Sequence, residues 1–254
     1  MYTFIKKSTG LMIFGLLLLG FLNSVSAQPF YSRLAEYTST IPSEFNKIPG
    51  ERKELLEELG EYILEKSTQK SGSQLLFICT LNSRRSQFAQ VWAQAAAYHY
   101  KLKKINTFSG GESETAINFR ILEALRKAGF EITASEVYSQ NPVYLLSMGR
   151  RYPDVFIFSK KYDYWNNPDM NYASIICSND LYEINLQPSG ADETIYLPYE
   201  DIQIFDSSSN SYLRNDEICR QIAREMFYLM DYVKNSKNNQ KKKKTKNKSN
   251  KNTS

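Results

Sequence analysis

The sequence predicts an α/β domain: a three-layer α-β-α arrangement around a four-stranded parallel sheet, with an N-terminal helical extension. Three observations predict it. Four short apolar runs, residues 75–79, 105–109, 173–177 and 194–197, have the length and composition of strands. Between them apolar residues recur at helical spacing: Phe88, Val91, Trp92, Ala95, Ala96 and His99 after the first run, and Ile117, Ile121, Leu122, Leu125 and Ala128 after the second. Strands that alternate with helices pair in parallel through crossovers, so helices cover both faces of the sheet and ligands bind at the carboxyl ends of its strands.

At the amino terminus Lys6 and Lys7 precede an apolar stretch over residues 11–22, and Val25-Ser26-Ala27 offers the small-residue exit of a signal peptide cleaved before Gln28. The stretch falls short of the about 20 apolar residues of a bilayer span. Residues 1–27 are therefore expected to direct export, to the periplasm or as a secreted protein, with membrane contact only if that segment stays uncleaved. Residues 28–72 form the extension. Its helix, over 51–66, carries Leu55, Leu56, Leu59, Tyr62 and Ile63 on a face that packs onto the core or covers the site.

Residues 73–234 form the domain. Gly129 is the expected stop of the helix after the second strand. Val155-Phe156-Ile157-Phe158 reads as a strand of a half-buried hairpin, with Tyr162, Tyr164 and Trp165 as an alternative lining for a substrate rim. A last helix, over 214–233, has Ile218, Ile222, Met226, Leu229, Met230 and Val233 on its apolar stripe and Cys219 in the core. The Lys- and Asn-rich residues 235–254 lack the apolar content for packing and are expected to be disordered.

Charge separates the ends from the middle. Of 32 basic residues, seven lysines lie from Lys241 onward and two are Lys6 and Lys7; the remaining 23 face 27 acidic residues, a net of −4. A mildly acidic domain is no nucleic-acid surface, and the tail offers only non-specific attraction. The single histidine, His99, reads as a core residue, which argues against Ser-His-Asp catalysis and multi-histidine metal sites. There is no CxxC pair and no Walker-type glycine loop. No metal or cofactor is implied.

The chemistry is concentrated in Cys79-Thr80-Leu81-Asn82-Ser83-Arg84-Arg85-Ser86, a Cx5R arrangement directly after the first strand. The strand carries the sulfur to the sheet edge, the following residues can turn backbone N–H groups inward, and a helix starting near Ser86 directs its positive end at the same point. A thiol with pKa about 8.5 is a weak nucleophile until positive charge and N–H groups favour the thiolate. Arg85 supplies that charge and a fork that grips two oxygens of a tetrahedral anion.

These residues resemble the low-molecular-weight protein tyrosine phosphatases and the thioredoxin-coupled arsenate reductases that share their fold. Ile78-Cys79-Thr80, Asn82-Ser83 and Arg85-Ser86-Gln87 look like the nucleophile loop, Thr107 to Gly111 like the second strand and turn, Cys177-Ser178-Asn179-Asp180 like the end of the third strand, and Leu197-Pro198-Tyr199-Glu200-Asp201 like the acid loop. The likeness covers residues 74–233. It implies Cys79 as nucleophile, Arg85 as oxyanion clamp, Asp201 as proton donor, Ser86 as hydroxyl donor to the thiolate and Asn82 as brace of the loop. Thr80, Leu81, Ser83 and Arg84 complete the substrate-binding loop. Three positions depart from the pattern: Leu81 replaces a glycine, Ile202 replaces the proline after the acid, and no cysteine stands near Ile184-Asn185, where the reductases carry their third.

The expected activity is hydrolysis of phosphomonoesters, protein phosphotyrosine foremost, through a phosphocysteine intermediate. The alternatives are an arsenate reductase using Cys79 with Cys177 as redox partner, or an oxyanion-binding module without turnover. Expected partners are a phosphorylated protein or small phosphomonoester, and a thiol reductant if export oxidises Cys79.

Overall fold

A computed structural model of the chain describes residues 30–135, 139–201, 203 and 211–251. The expected signal segment lies outside them. In chain order come α1 (Ser32–Ser39), a 3-10 helix (Ile41–Lys47), α2 (Gly50–Lys66), β1 (Ser73–Cys79), α3 (Arg85–His99), β2 (Ile105–Gly111) and α4 (Phe119–Ala128). Three short strands follow, β3 (Glu131–Ala134), β4 (Tyr144–Ser147) and β5 (Val155–Ile157), then β6 (Tyr172–Ile176), α5 (Asn179–Glu183), β7 (Ala191–Tyr196) and α6 (Ser211–Lys251).

Every residue of β1 except Gln74 is buried, so the strand needs apolar cover on both faces and hydrogen-bonded neighbours on both edges. β2 and β6 supply the edges, both parallel, with Cys79 opposite Gly111 and Ile78 opposite Ile176. β7 pairs in parallel outside β6, giving the order β2-β1-β6-β7. The expected four-stranded parallel sheet is thus formed, and all its carboxyl ends share one edge.

The two faces are covered unequally. Leu75, Phe77, Cys79, Ile175, Cys177, Leu197 and Tyr199 point into the main core with Leu56 and Leu59 of α2, Val91 and Trp92 of α3, Leu125 of α4, and Ile222 and Met226 of α6. The opposite face, Leu76, Ile78, Tyr172 and Ile176, is covered by Leu181 of α5 and by Tyr162 and Leu186 from loops. Trp92 is fully buried among Tyr37, Phe130 and Phe227 and donates its indole N–H to Cys219 Sγ at 3.3 Å. His99 lies against Phe30, Tyr100 and Phe227, and burial holds its pKa below the usual imidazole value.

α4 has the signals its sequence carries: the Asn118 side chain accepts the Arg120 N–H at 3.0 Å, and Gly129 ends the helix in a left-handed conformation (φ 108°). The helix in the extension is part of the core. Leu56, Leu59 and Ile63 are fully buried, Tyr228 and Tyr232 of α6 donate to Glu57 and Glu61, and no residue of α2 lines the cavity above Cys79.

Three expectations need correction. β5 pairs with β4 in a separate antiparallel sheet, β3-β4-β5, rather than opening a hairpin with the segment after it. That segment runs past the end of β2, where Gly111 N–H donates to Lys160 O at 2.9 Å and Tyr162 N–H to Gly111 O at 2.8 Å. Tyr162, Tyr164 and Trp165 accordingly line a different cavity from the one above Cys79. Finally, α6 continues to Lys251 instead of ending near 233. Lysine is a good helix former, and extending a helix already held by packing avoids the cost of a new nucleus.

If α2 is core rather than an appended lid, Leu59→Ala leaves a cavity and destabilises the whole domain by about 2–5 kcal/mol. Urea unfolding checks this: the expected result is one transition with a lowered midpoint, whereas an independent extension would leave the main transition unmoved.

Candidate active site

The register brings four loops to one edge: those after β1, β2, β6 and β7. Together they enclose a cavity of about 530 Å³. Cys79, Thr80, Leu81, Ser83, Arg84 and Arg85 line one side, residues 115–119 another, and Asp180, Asp201 and Gln203 the rest. α3 begins at Arg85, so its unpaired N–H groups and positive dipole end face this space.

Asn82 and Ser86 stand behind the lining, fully buried. Ser86 Oγ lies 3.0 Å from Cys79 Sγ and accepts the Asn82 Nδ2–H at 2.8 Å. With Asn82 occupying an acceptor position, the serine proton is free to point at the sulfur and stabilise a thiolate. Asn82 Oδ1 accepts the backbone N–H of Lys160 at 2.9 Å and Gln87 Nε2–H at 3.0 Å, and Gln87 also donates to Phe158 O at 2.9 Å. The left-handed step of the loop falls on Asn82 (φ 45°), a residue type that tolerates it, and not on Leu81. That is why a branched side chain fits at position 81.

The loop approaches the end of β2 closely. A Cβ built on Gly111 would meet Ser113 O at 2.2 Å and Asn82 N at 2.8 Å, so only glycine lets the two loops lie together. Arg85 is buried and reaches two groups of the β7 loop: Nη1 donates to Tyr199 O and Nη2 to Asp201 Oδ2, each at 3.4 Å. Asp201 is half-exposed, and its Oδ1 accepts the Gln203 N–H at 2.9 Å, a local restraint on the loop.

Cys177, the candidate redox partner, lies beside Cys79 on the same sheet face, its N–H bonded to Ile78 O at 2.7 Å. Both thiols are free. Cys177 is fully buried and does not line the cavity; burial, then the neighbouring Cys79, push its pKa well up, leaving it a thiol. Burial likewise pushes Cys219 up to about 12.

Two residues given no role by the sequence reading belong here. Asp180 lines the cavity and accepts Thr80 Oγ1–H at 2.5 Å. Burial works against its charged form, but the bonds from Thr80 and Ser178 and the charge of Arg85 outweigh it and hold the carboxyl below its usual value. Its position three residues after Cys177, at the end of a strand beside β1, was the available signal. Lys160, beyond supporting Asn82 through its backbone, has its ammonium buried over the Phe158 ring at 4.7 Å. That burial lowers its pKa to about 8.

No family model matches the chain, and no curated protein matches it. Among solved structures, it is similar to a mutant of YwlE from Bacillus subtilis (TM-score 0.44, 14% identity, covering 64% of this chain and 99% of that one). It is similar also to a low molecular weight phosphotyrosine phosphatase from Vibrio cholerae O395 (0.40, 14%, 66% and 99%) and to a protein tyrosine phosphatase from Entamoeba histolytica (0.42, 14%, 65% and 99%).

Asp180→Asn keeps a partner for Thr80 and removes a negative charge from the cavity. At an exposed position that charge is worth about 1 kcal/mol or less, so phosphate affinity is expected to rise about two- to fivefold by calorimetry; weaker binding would mean the carboxylate is needed to hold Thr80. Lys160 has a folded pKa below its unfolded 10.5, so between about 8 and 10.5 the unfolded chain binds the extra proton and stability rises with pH. The difference in unfolding free energy between the unsubstituted chain and Lys160→Met should change over that window by up to about 1.4 kcal/mol per pH unit. A flat difference refutes the assignment.

Proposed function

We propose that this protein is an exported, cysteine-dependent phosphatase that hydrolyses phosphomonoesters, with protein phosphotyrosine as its substrate class, through a phosphocysteine intermediate. The observation that supports the reading is the placement of Cys79 at the floor of a cavity at the start of α3, its sulfur 3.0 Å from Ser86 Oγ, with Arg85 and Asp201 lining the same space.

In the first step the Cys79 thiolate attacks phosphorus while the ester oxygen leaves. The guanidinium fork of Arg85 and the N–H groups of the loop hold the equatorial oxygens, where charge concentrates in the transition state. Protonated Asp201 gives its proton to the leaving oxygen, so the alcohol departs neutral. In the second step Asp201, now a carboxylate, takes a proton from the attacking water; the sulfur–phosphorus bond breaks, the thiolate is restored and phosphate is released. Without substrate Arg85 contacts Asp201, so an entering phosphoryl group replaces that carboxylate on the guanidinium and frees it to take up from solvent the proton that it gives to the leaving oxygen.

An aryl leaving group suits the far wall. Ile117 and Phe119 line the cavity, and half-exposed Phe119 meets Tyr212 edge-on with Arg120 stacked on both rings. The reductase alternative is less favoured: Cys177 stays a buried thiol, and residues 184–185 offer no cysteine. Export is supported by residues 1–27 alone. Outside the cytosol Cys79 would need a thiol reductant to remain active.

Hydrolysis of phenyl phosphate in the presence of reductant tests the reading. Cys79→Ser is expected to abolish turnover while retaining phosphate binding, and Asp201→Asn to reduce it about 100-fold or more. Phosphate binding without turnover in the unsubstituted chain would refute a phosphatase.

A further inference from the structure

We propose that Arg52, from the N-terminal extension, is a positioning residue for the proton donor: it anchors the Pro198-Tyr199 backbone from which Asp201 is held over the cavity. The inference rests on the phosphatase reading above.

Arg52 lies on α2, none of whose residues lines the cavity, so any influence on the reaction must be transmitted. The route is a buried polar network. Glu225 of α6 has a side chain only 1% exposed, and a carboxylate so placed needs charged and hydrogen-bonded partners. Arg52 grips it with two bonds, Nε to Oε1 at 2.9 Å and Nη2 to Oε2 at 2.7 Å. The remaining fork nitrogen, Nη1, donates to Pro198 O at 3.1 Å. Tyr199 Oη donates to Glu225 Oε2 at 2.9 Å, and the guanidinium lies over the Tyr199 ring at 5.0 Å. Two consecutive residues of the acid-bearing loop are therefore fixed to one ion pair.

From there the network reaches the reacting groups. Tyr199 N–H donates to Cys177 O at 3.1 Å, Tyr199 O accepts from Arg85 Nη1 at 3.4 Å, and Asp201 follows two residues later. The next residue, Ile202, does not have the fixed φ of a proline, so the bonds that hold the loop just before Asp201 contribute to its orientation beside the local one from Gln203 N–H. Lysine could not replace Arg52, because one ammonium cannot hold both oxygens of Glu225 in plane and reach Pro198 as well.

The test compares kcat/KM on two aryl phosphates, which reports events through cleavage of the P–O bond. 4-Nitrophenyl phosphate expels a stable anion and needs little proton donation; phenyl phosphate depends on it. In the full chain Arg52→Lys should lower kcat/KM about tenfold on phenyl phosphate and at most about twofold on 4-nitrophenyl phosphate, with Tyr199→Phe showing the same selectivity in weaker form. Added to Asp201→Asn, Arg52→Lys should cost nothing further, since no acid remains to be oriented. A merely structural role would reduce the active fraction and lower both substrates equally. Equal losses, or a loss undiminished in the Asp201→Asn background, would overturn the positioning role while leaving the phosphatase intact. Absence of turnover in the unsubstituted chain would overturn the phosphatase reading, and this role with it.

Discussion

Burial of β1 on both faces is the constraint from which the rest follows. A strand with no solvent-facing side must have all its backbone groups paired within the sheet, and here two parallel neighbours do this, β2 and β6. Parallel neighbours require crossovers, and the crossovers supply α3, α4 and α5, to which α2 and α6 add the remaining helical cover. The same geometry places Cys79, Gly111, Cys177 and the end of β7 at one edge. The edge that carries the candidate site is thus a by-product of satisfying one buried strand.

At that edge the cradle is held by side-chain amides as well as by backbone bonds from Glu112, Ser113 and Asn118. The Asn82 side chain gives one hydrogen bond to Ser86 and receives one each from Lys160 and Gln87, and its backbone O receives another from Gln87, so a fully buried residue ties the loop to α3 and to the chain beyond β5. Gly111 lets β2 close against the back of the loop. Ordering of this kind is completed during folding, so an anion entering the cavity would find the donors already placed.

The extension acts from the opposite side. Its helix closes the main core through Leu56, Leu59 and Ile63, and its Arg52 meets Glu225 where α6 and the β7 loop converge. Glu44, from the 3-10 helix, is likewise gripped by Arg220 and Arg224 of α6. Helices distant in sequence are joined through buried or half-buried charges, each of which would be costly to leave unpaired. The extension and the last helix therefore pack together against one face of the sheet.

The sequence by itself determined the four strands of the parallel sheet, most helices and the loop from Cys79 to Arg85, because each is written within a few adjacent residues. Buried parallel strands appear as unbroken apolar runs, α4 shows its stripe with Asn118 before it and Gly129 after it, and a Cx5R cradle is complete within one loop. The short strands β3 and β4 were missed because four-residue, half-exposed segments carry too little periodicity. Only the tertiary structure decided that Asp180 meets Thr80, 100 positions away, that Lys160 supports Asn82, that Tyr162 and Trp165 line a different cavity from Cys79, and that Arg52 reaches the loop after β7. Those pairings depend on the register between strands and on the packing of all the helices at once. No local preference encodes them, since each is stabilised by burial that the whole fold creates.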